Sequence, residues 1–198
     1  MTGTPGARQR PLRARLIETA AELTGNEGWS AVTMARLADL VGVSRQTVYN
    51  EVGGKSALAE AMVLHELTRF LGRVDDAFDS GTDLVESVRV AARGVLEMAR
   101  TNPLLRVIVS ASQGAGTELL PLLTTHSEAV LEAATGVIRG HLTRFELGID
   151  PQQLEVGIDM VVRLVLSHVM QPRSSPARTA DDIAWIAGRV LRPAPAPV

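Results

Sequence analysis

The stretch from Ala31 to Val52, AVTMARLADLVGVSRQTVYNEV, constrains the fold more tightly than any other part of the chain. Thr33 is a good N-cap for a helix carrying Met34, Leu37, Ala38 and Val41 on its inner face, because its hydroxyl can accept from an orphaned amide of the first turn. Gly42 stops that helix, since a residue without Cβ takes the positive φ of a tight turn at no steric cost. Ser44 then caps a third, short helix running to about Glu51. Ala38 lets two crossing helices approach, while Leu37, Val41, Val43 and Val48 fill the space between them, and this spacing predicts a helix-turn-helix. The polar remainder of the third helix is left facing outward. Arg45, Gln46 and Thr47 suit the major groove, where Arg pairs with guanine, Gln with adenine, and a Thr methyl meets thymine. Thr33, Tyr49 and Lys55 are placed for phosphate contacts, Ser44 counts with them among the DNA-binding residues, and the N-terminus of the fourth helix adds amide donors.

Composition favours helix in the rest of the chain as well. Of the 198 residues 45% are hydrophobic, mostly Ala, Leu and Val, and only 3% are aromatic; no long alternating β-branched pattern occurs. The expected class is all-α. No run of about 18 or more uncharged apolar residues is present, and the N-terminus is polar and Arg-rich without an apolar core of its own, so the cytoplasm is the expected compartment. With zero cysteines, disulfides, thiolate zinc sites and cysteine nucleophiles are excluded. A Gly-rich phosphate loop, a His-Glu-x-x-His pair and a nucleophile elbow are all missing, so the chain does not read as an enzyme and implies no cofactor. His65, His126, His141 and His168 are widely separated, and no metal site is expected. The net charge of −2 argues weakly against nucleic acid, but Arg8, Arg10, Arg13 and Arg15 all precede the first acid, Glu18.

Punctuation along the chain gives its organisation. Residues 1–11, rich in Gly, Thr, Pro and Arg, read as a mobile basic arm. A helix from Leu12 to about Gly28 carries Leu16, Ile17, Ala20, Ala21, Leu23 and Thr24 on one face, and Trp29 begins a short connection. Gly53 and Gly54 precede a long fourth helix, Lys55 to about Phe78. Further helices are expected at about 83–100, 103–112, 118–147, 151–170 and 180–191, with Pro121 marking a late start or kink, Asp181-Asp182 capping the last helix, and 193–198 a disordered tail.

Gly28-Trp29 after the first helix, then Thr33, Leu37-Ala38, Gly42-Val43-Ser44, Thr47-Val48-Tyr49 and Lys55-Ser56-Ala57-Leu58 together resemble the signature of the TetR family. The match covers about 50 residues, Leu12 to Met62. It departs at Val52, where the family usually has an aromatic residue, which predicts looser packing between the third and fourth helices. The resemblance implies a homodimer, a palindromic operator on double-stranded DNA and a C-terminal effector pocket. It divides the chain into a helix-turn-helix DNA-binding domain over 12–57 and an effector-binding and dimerisation domain over 58–192. The implied function is that of a sequence-specific transcriptional regulator, a repressor released by a small effector.

The C-terminal region has no comparable motif, so its reading rests on pattern. Leu154, Ile158, Val161, Val165 and Val169 form one apolar stripe on a helix, and with Val130 and Val137 of the preceding helix they could build a four-helix dimer interface. Leu67, Phe70, Leu71, Phe78, Met98, Leu105, Ile108 and Val109 are the candidate pocket residues. Few charges interrupt those faces, so a lipophilic effector is expected, with Arg69, Arg106, Gln113 or His126 available for a polar end. The alternative is a helical interaction module that docks a protein on its helix-turn-helix; steep weakening by salt would distinguish DNA from such a partner.

Overall fold

A computed structural model describes residues 11–112 and 127–191, the side chains of 108–112, 127 and 129 excepted. Every regular element among these residues is helical: α1 (Leu12–Glu27), a 3₁₀ turn (Trp29–Ala31), α2 (Met34–Val41), α3 (Arg45–Val52), α4 (Lys55–Ser80), α5 (Leu84–Thr101), α6 (Pro103–Ser112), α7 (Ser127–Leu142), α8 (Pro151–Met170) and α9 (Pro176–Val190). Residues 1–10 of the expected arm, Gln113 and His126, Pro121 and the tail lie outside the described residues, while Pro11 is the N-cap of α1.

Local chemistry accounts for most boundaries. Asp83, Asp150 and Ser175 cap α5, α8 and α9 by accepting from first-turn amides, and Pro151 and Pro176 follow their caps at the position where a missing N–H costs nothing. The last helix therefore begins at Pro176, earlier than expected, because Ser-Pro is the stronger start signal. Asp181 and Asp182 are not its cap but lie within it, facing Arg89 at 3.2 Å and Arg178 at 3.7 Å. The helix expected to run to 147 ends at Leu142, and the chain turns through Gly148 at φ 62° before α8.

Two apolar cores result, and α4 runs through both. Leu16, Ala20, Leu37, Val48, Leu58 and Met62 belong to the N-terminal core, joined by Leu104 of α6. Phe78, Leu84, Leu142, Ile158, Ile183 and Leu191 belong to the second. A boundary drawn after residue 57 thus cuts a continuous helix whose next turns still pack with the helix-turn-helix. Val52 is 2% exposed in the N-terminal core, so the smaller side chain is fully enclosed rather than loosely seated. A second seam joins the layers: a Cβ on Gly25 of α1 would come within 2.2 Å of the Pro103 Cβ at the start of α6.

Two residues of the stripe expected between two copies lie inside one. Ile158 (0% exposed) and Val161 (6%) are buried in the second core of their own chain. Leu154, Val165, Val169 and Val137 pack against that core, and Val130 faces the cavity described below. Helical period identifies an apolar face but not what covers it, and here α5, α7 and α9 do so. Outward, α8 instead presents Val156 (55% exposed) and Met160 (49%). Arg139 of α7 donates to both carboxylate oxygens of Glu155 of α8 at 2.6 and 2.5 Å, tying the two helices on that outer side.

Candidate nucleic-acid interface and ligand cavity

The turn between α2 and α3 is built as its sequence requires. Thr33 Oγ1 accepts from Arg36 N at 3.1 Å, and Ser44 Oγ accepts from Thr47 N at 3.0 Å. Gly42 takes the left-handed conformation (φ 76°, ψ 42°), so that its own amide and that of Val43 both bond the Ala38 carbonyl. Val48 and Leu37, both 0% exposed, fill the crossing. Two arginines close the carbonyl ends of this unit: Arg15 donates to the Val41 carbonyl at 3.2 Å, and Arg13 to that of Glu51. A cation at a helix C-terminus satisfies orphan carbonyls and complements the dipole. These two basic residues are thereby engaged in the fold rather than held free for a partner.

With its inner face committed, α3 exposes Arg45, Gln46, Tyr49 and Asn50. They are paired one turn apart. The Arg45 guanidinium lies 5.6 Å from the Tyr49 ring centroid, with Nη2 3.4 Å from the phenol oxygen, and Gln46 Nε2 donates to Asn50 Oδ1 at 3.0 Å. Thr47 is half-buried and its hydroxyl sits 2.8 Å from that of Ser44, within the cap. Lys55, the first residue of α4, holds its ammonium 4.9 Å from the Trp29 ring. The cap of α4 is Gly54, which offers no side-chain acceptor, so the first-turn amides keep their donors for an anion. Thr33, exposed at the head of α2, completes the same face. Asn50 was not among the expected contacts, although its place one turn beyond Gln46 was readable from the helical period.

Behind this layer lies a cavity of about 220 Å³. Leu67, Phe70, Leu71, Phe78 and Leu105 line it, as do Ile158, Val161 and Val165 of α8. Met98 is not part of its wall; α5 turns Val88, Ala91 and Val95 toward it instead. The side chains of Ile108 and Val109 are outside the described residues. Glu66 is the single charged residue in the wall among the described residues, 7% exposed, and it is fully engaged elsewhere: Arg69 Nη1 donates to both its oxygens (3.0 and 3.2 Å) and Asn102 Nδ2 to one at 2.5 Å. The Asn102 side chain in turn accepts from Leu105 N at 3.0 Å, so one buried network fixes the start of α6 against α4. Its signal in the sequence was a carboxylate four residues after Met62 and four before Phe70, on an apolar stripe. Arg69 is thus committed to an ion pair, and its side chain is 54% exposed.

Arg106 faces a second hollow of about 310 Å³, whose wall also holds Arg100 and His168. Leu105 and Val169 belong to the walls of both spaces. Among the described residues no group of acids and histidines could hold a metal, and no helix is long and apolar enough to cross a membrane.

Comparison with known proteins agrees with this architecture. Residues 16–62 match the family of bacterial regulatory proteins, tetR family, and residues 83–189, more than half of the chain, match the bacterial tetracyclin repressor C-terminal domain. The chain is 28% identical over 175 residues to the HTH-type transcriptional regulator AlkX of Mycobacterium tuberculosis, covering 87% of this chain and 82% of that one. The crystal structure of the TetR family repressor AlkX from Dietzia, implicated in biodegradation of n-alkanes, superposes with TM-score 0.71 at 27% identity over 93% of this chain and 97% of that one. The fatty acid degradation regulator FadR of Bacillus halodurans shares the fold, with TM-score 0.57 at 15% identity over 88% and 96%. With its helix-turn-helix and its C-terminal helical domain both matched, the chain belongs to the TetR family of DNA-binding transcriptional regulators.

Proposed function

We propose that the chain binds a palindromic duplex operator as a homodimer and is released from it by a lipophilic molecule lodged in the cavity behind α4. The observation that carries this reading is the course of α4, whose first residue, Lys55, stands beside the α3 surface and whose middle turns form a wall of the cavity. Arg45 and Gln46 read base edges, with Asn50 beside them. Thr33, Ser44, Tyr49, Lys55 and the first amides of α4 hold phosphates. Thr47 contributes its methyl group.

At about 220 Å³ the cavity is smaller than the roughly 300–1,000 Å³ typical of ligand sites. An occupant of ordinary size therefore moves a wall, and a displaced α4 carries α3 with it. In a dimer whose recognition helices must enter major grooves about 34 Å apart, such a movement costs operator affinity. The second copy packs on the outer side of α7 and α8, where Val156 and Met160 are exposed.

Selection from random duplexes tests the first half: a two-fold motif is expected, and enrichment of none would remove the base-reading assignment. Titration of lipophilic ligands with and without that operator tests the second. Linkage requires each to weaken the other by the same factor, and equal ligand affinity in both conditions would sink the coupling.

A further inference from the structure

The cavity behind α4 accepts an apolar chain, but among the described residues its wall offers no free group to hold a polar end. The two oxygens of Glu66 are taken by Arg69 and Asn102, and among the described residues no other charged side chain lines it. The neighbouring hollow has the opposite character. Among the described residues, Arg100, Arg106 and His168 stand in its wall, no acid does, and none of the three makes an ion pair or side-chain hydrogen bond. In a chain of net charge −2 this is a local concentration of donors, not a share of a general excess. Leu105 and Val169 contribute to both walls, so the two spaces adjoin there.

We infer that the two spaces form one bipartite effector site, selective for single-chain amphiphiles with an anionic head: the chain occupies the apolar cavity and the carboxylate or phosphate head sits among Arg100, Arg106 and His168. This rests on the lipophilic-effector reading and adds to it the sign and place of the polar end. The physical basis is direct. Guanidinium groups donate in a planar fork that fits both carboxylate and phosphate, and charge-assisted bonds over an apolar floor are stronger than in open water. A cationic head would meet two guanidinium groups with no neutralising acid among the described residues of the wall, and an alcohol would accept from a guanidinium but bring no charge of its own to pair with it.

Isothermal titration of the purified full chain with n-decanoate, n-decyl phosphate, n-decanol and n-decyltrimethylammonium tests the assignment, since the chain is constant and only the head varies. At least one anion is expected to bind about tenfold or more tighter than the alcohol, and the cation weakest. The order of the two anions then tells a carboxylate site from a phosphate site. The double variant Arg100→Gln, Arg106→Gln, which alters exposed side chains, should bring the anions down to the affinity of the alcohol and change that of the alcohol far less. Equal binding of alcohol and anions, or an anion preference that survives the double variant, overturns the head-group assignment alone. Preferred binding of the cation also overturns it and moves the head to Glu66. If none of the four binds, the lipophilic-effector reading falls and takes this inference with it.

Discussion

Arg45 and Gln46 reach the surface of α3 already partnered, with Tyr49 and Asn50 one turn on. Such i, i+4 pairs are worth only about 0.2–0.5 kcal/mol each on an exposed helix, whereas a good bidentate contact to a base discriminates by about 1–3 kcal/mol. On the proposed reading, exchange of the pairs for base edges is therefore favourable. Arg45→Ala and Gln46→Ala are each expected to cost about 1–3 kcal/mol of operator affinity and to relax the preference at the bases they read, as measured by competition among single-base operator variants. Tyr49→Phe removes a phosphate donor and should weaken all sequences alike; a change in which bases are preferred would contradict its role. Ser44 is different, because its hydroxyl accepts the Thr47 amide. Ser44→Ala should lower the melting transition by the equivalent of about 0.5–2 kcal/mol whether or not DNA is present.

Between elements, the contacts that matter are where helices touch rather than what each helix is. Gly25 lets α1 lie against the start of α6, with no space for a Cβ beside Pro103. Gly25→Ala gains helix propensity in isolation, yet overpacking of this kind costs about 1–3 kcal/mol. A net loss of stability is expected in thermal unfolding, and a stabilised variant would show that the seam yields freely. The outer and inner faces of α8 predict opposite outcomes for one kind of substitution. Val156→Glu or Met160→Glu should yield a folded monomer by sedimentation and circular dichroism, because those side chains are exposed within the chain. Val161→Glu should destabilise the chain itself, since it leaves an unpaired charge in the second core. A dimer that survives Val156→Glu together with Met160→Glu would place the interface elsewhere. The Arg139 guanidinium holds the Glu155 carboxyl below its usual range, first by hydrogen bonding and then by charge. Whatever that exposed pair contributes between α7 and α8 is present above the ordinary carboxylate range and lost as pH falls through the lowered value.

For the whole molecule, DNA face and cavity are joined by α4 and by the α1–α6 seam, so ligand and operator compete through the position of rigid helices rather than through a shared surface. Leu71→Trp narrows the cavity without touching α3. It is expected to reduce the response of operator affinity to an added lipophilic ligand at least severalfold while leaving ligand-free DNA binding nearly intact; an unchanged response would mean that the ligand sits elsewhere. The sequence by itself determined the helical class, the caps at Thr33 and Ser44, the turn at Gly42 and the outward side chains of α3, because each of these depends on residues within one or two turns of one another. The facing of α8, the isolation of Glu66 by Arg69 and Asn102, the placing of Arg100, Arg106 and His168 around one hollow, and the meeting of Gly25 with Pro103 were decided only by the tertiary structure. Helical period says that a face is apolar or charged, but its partner can lie anywhere along the chain, and packing against that partner is what selects it.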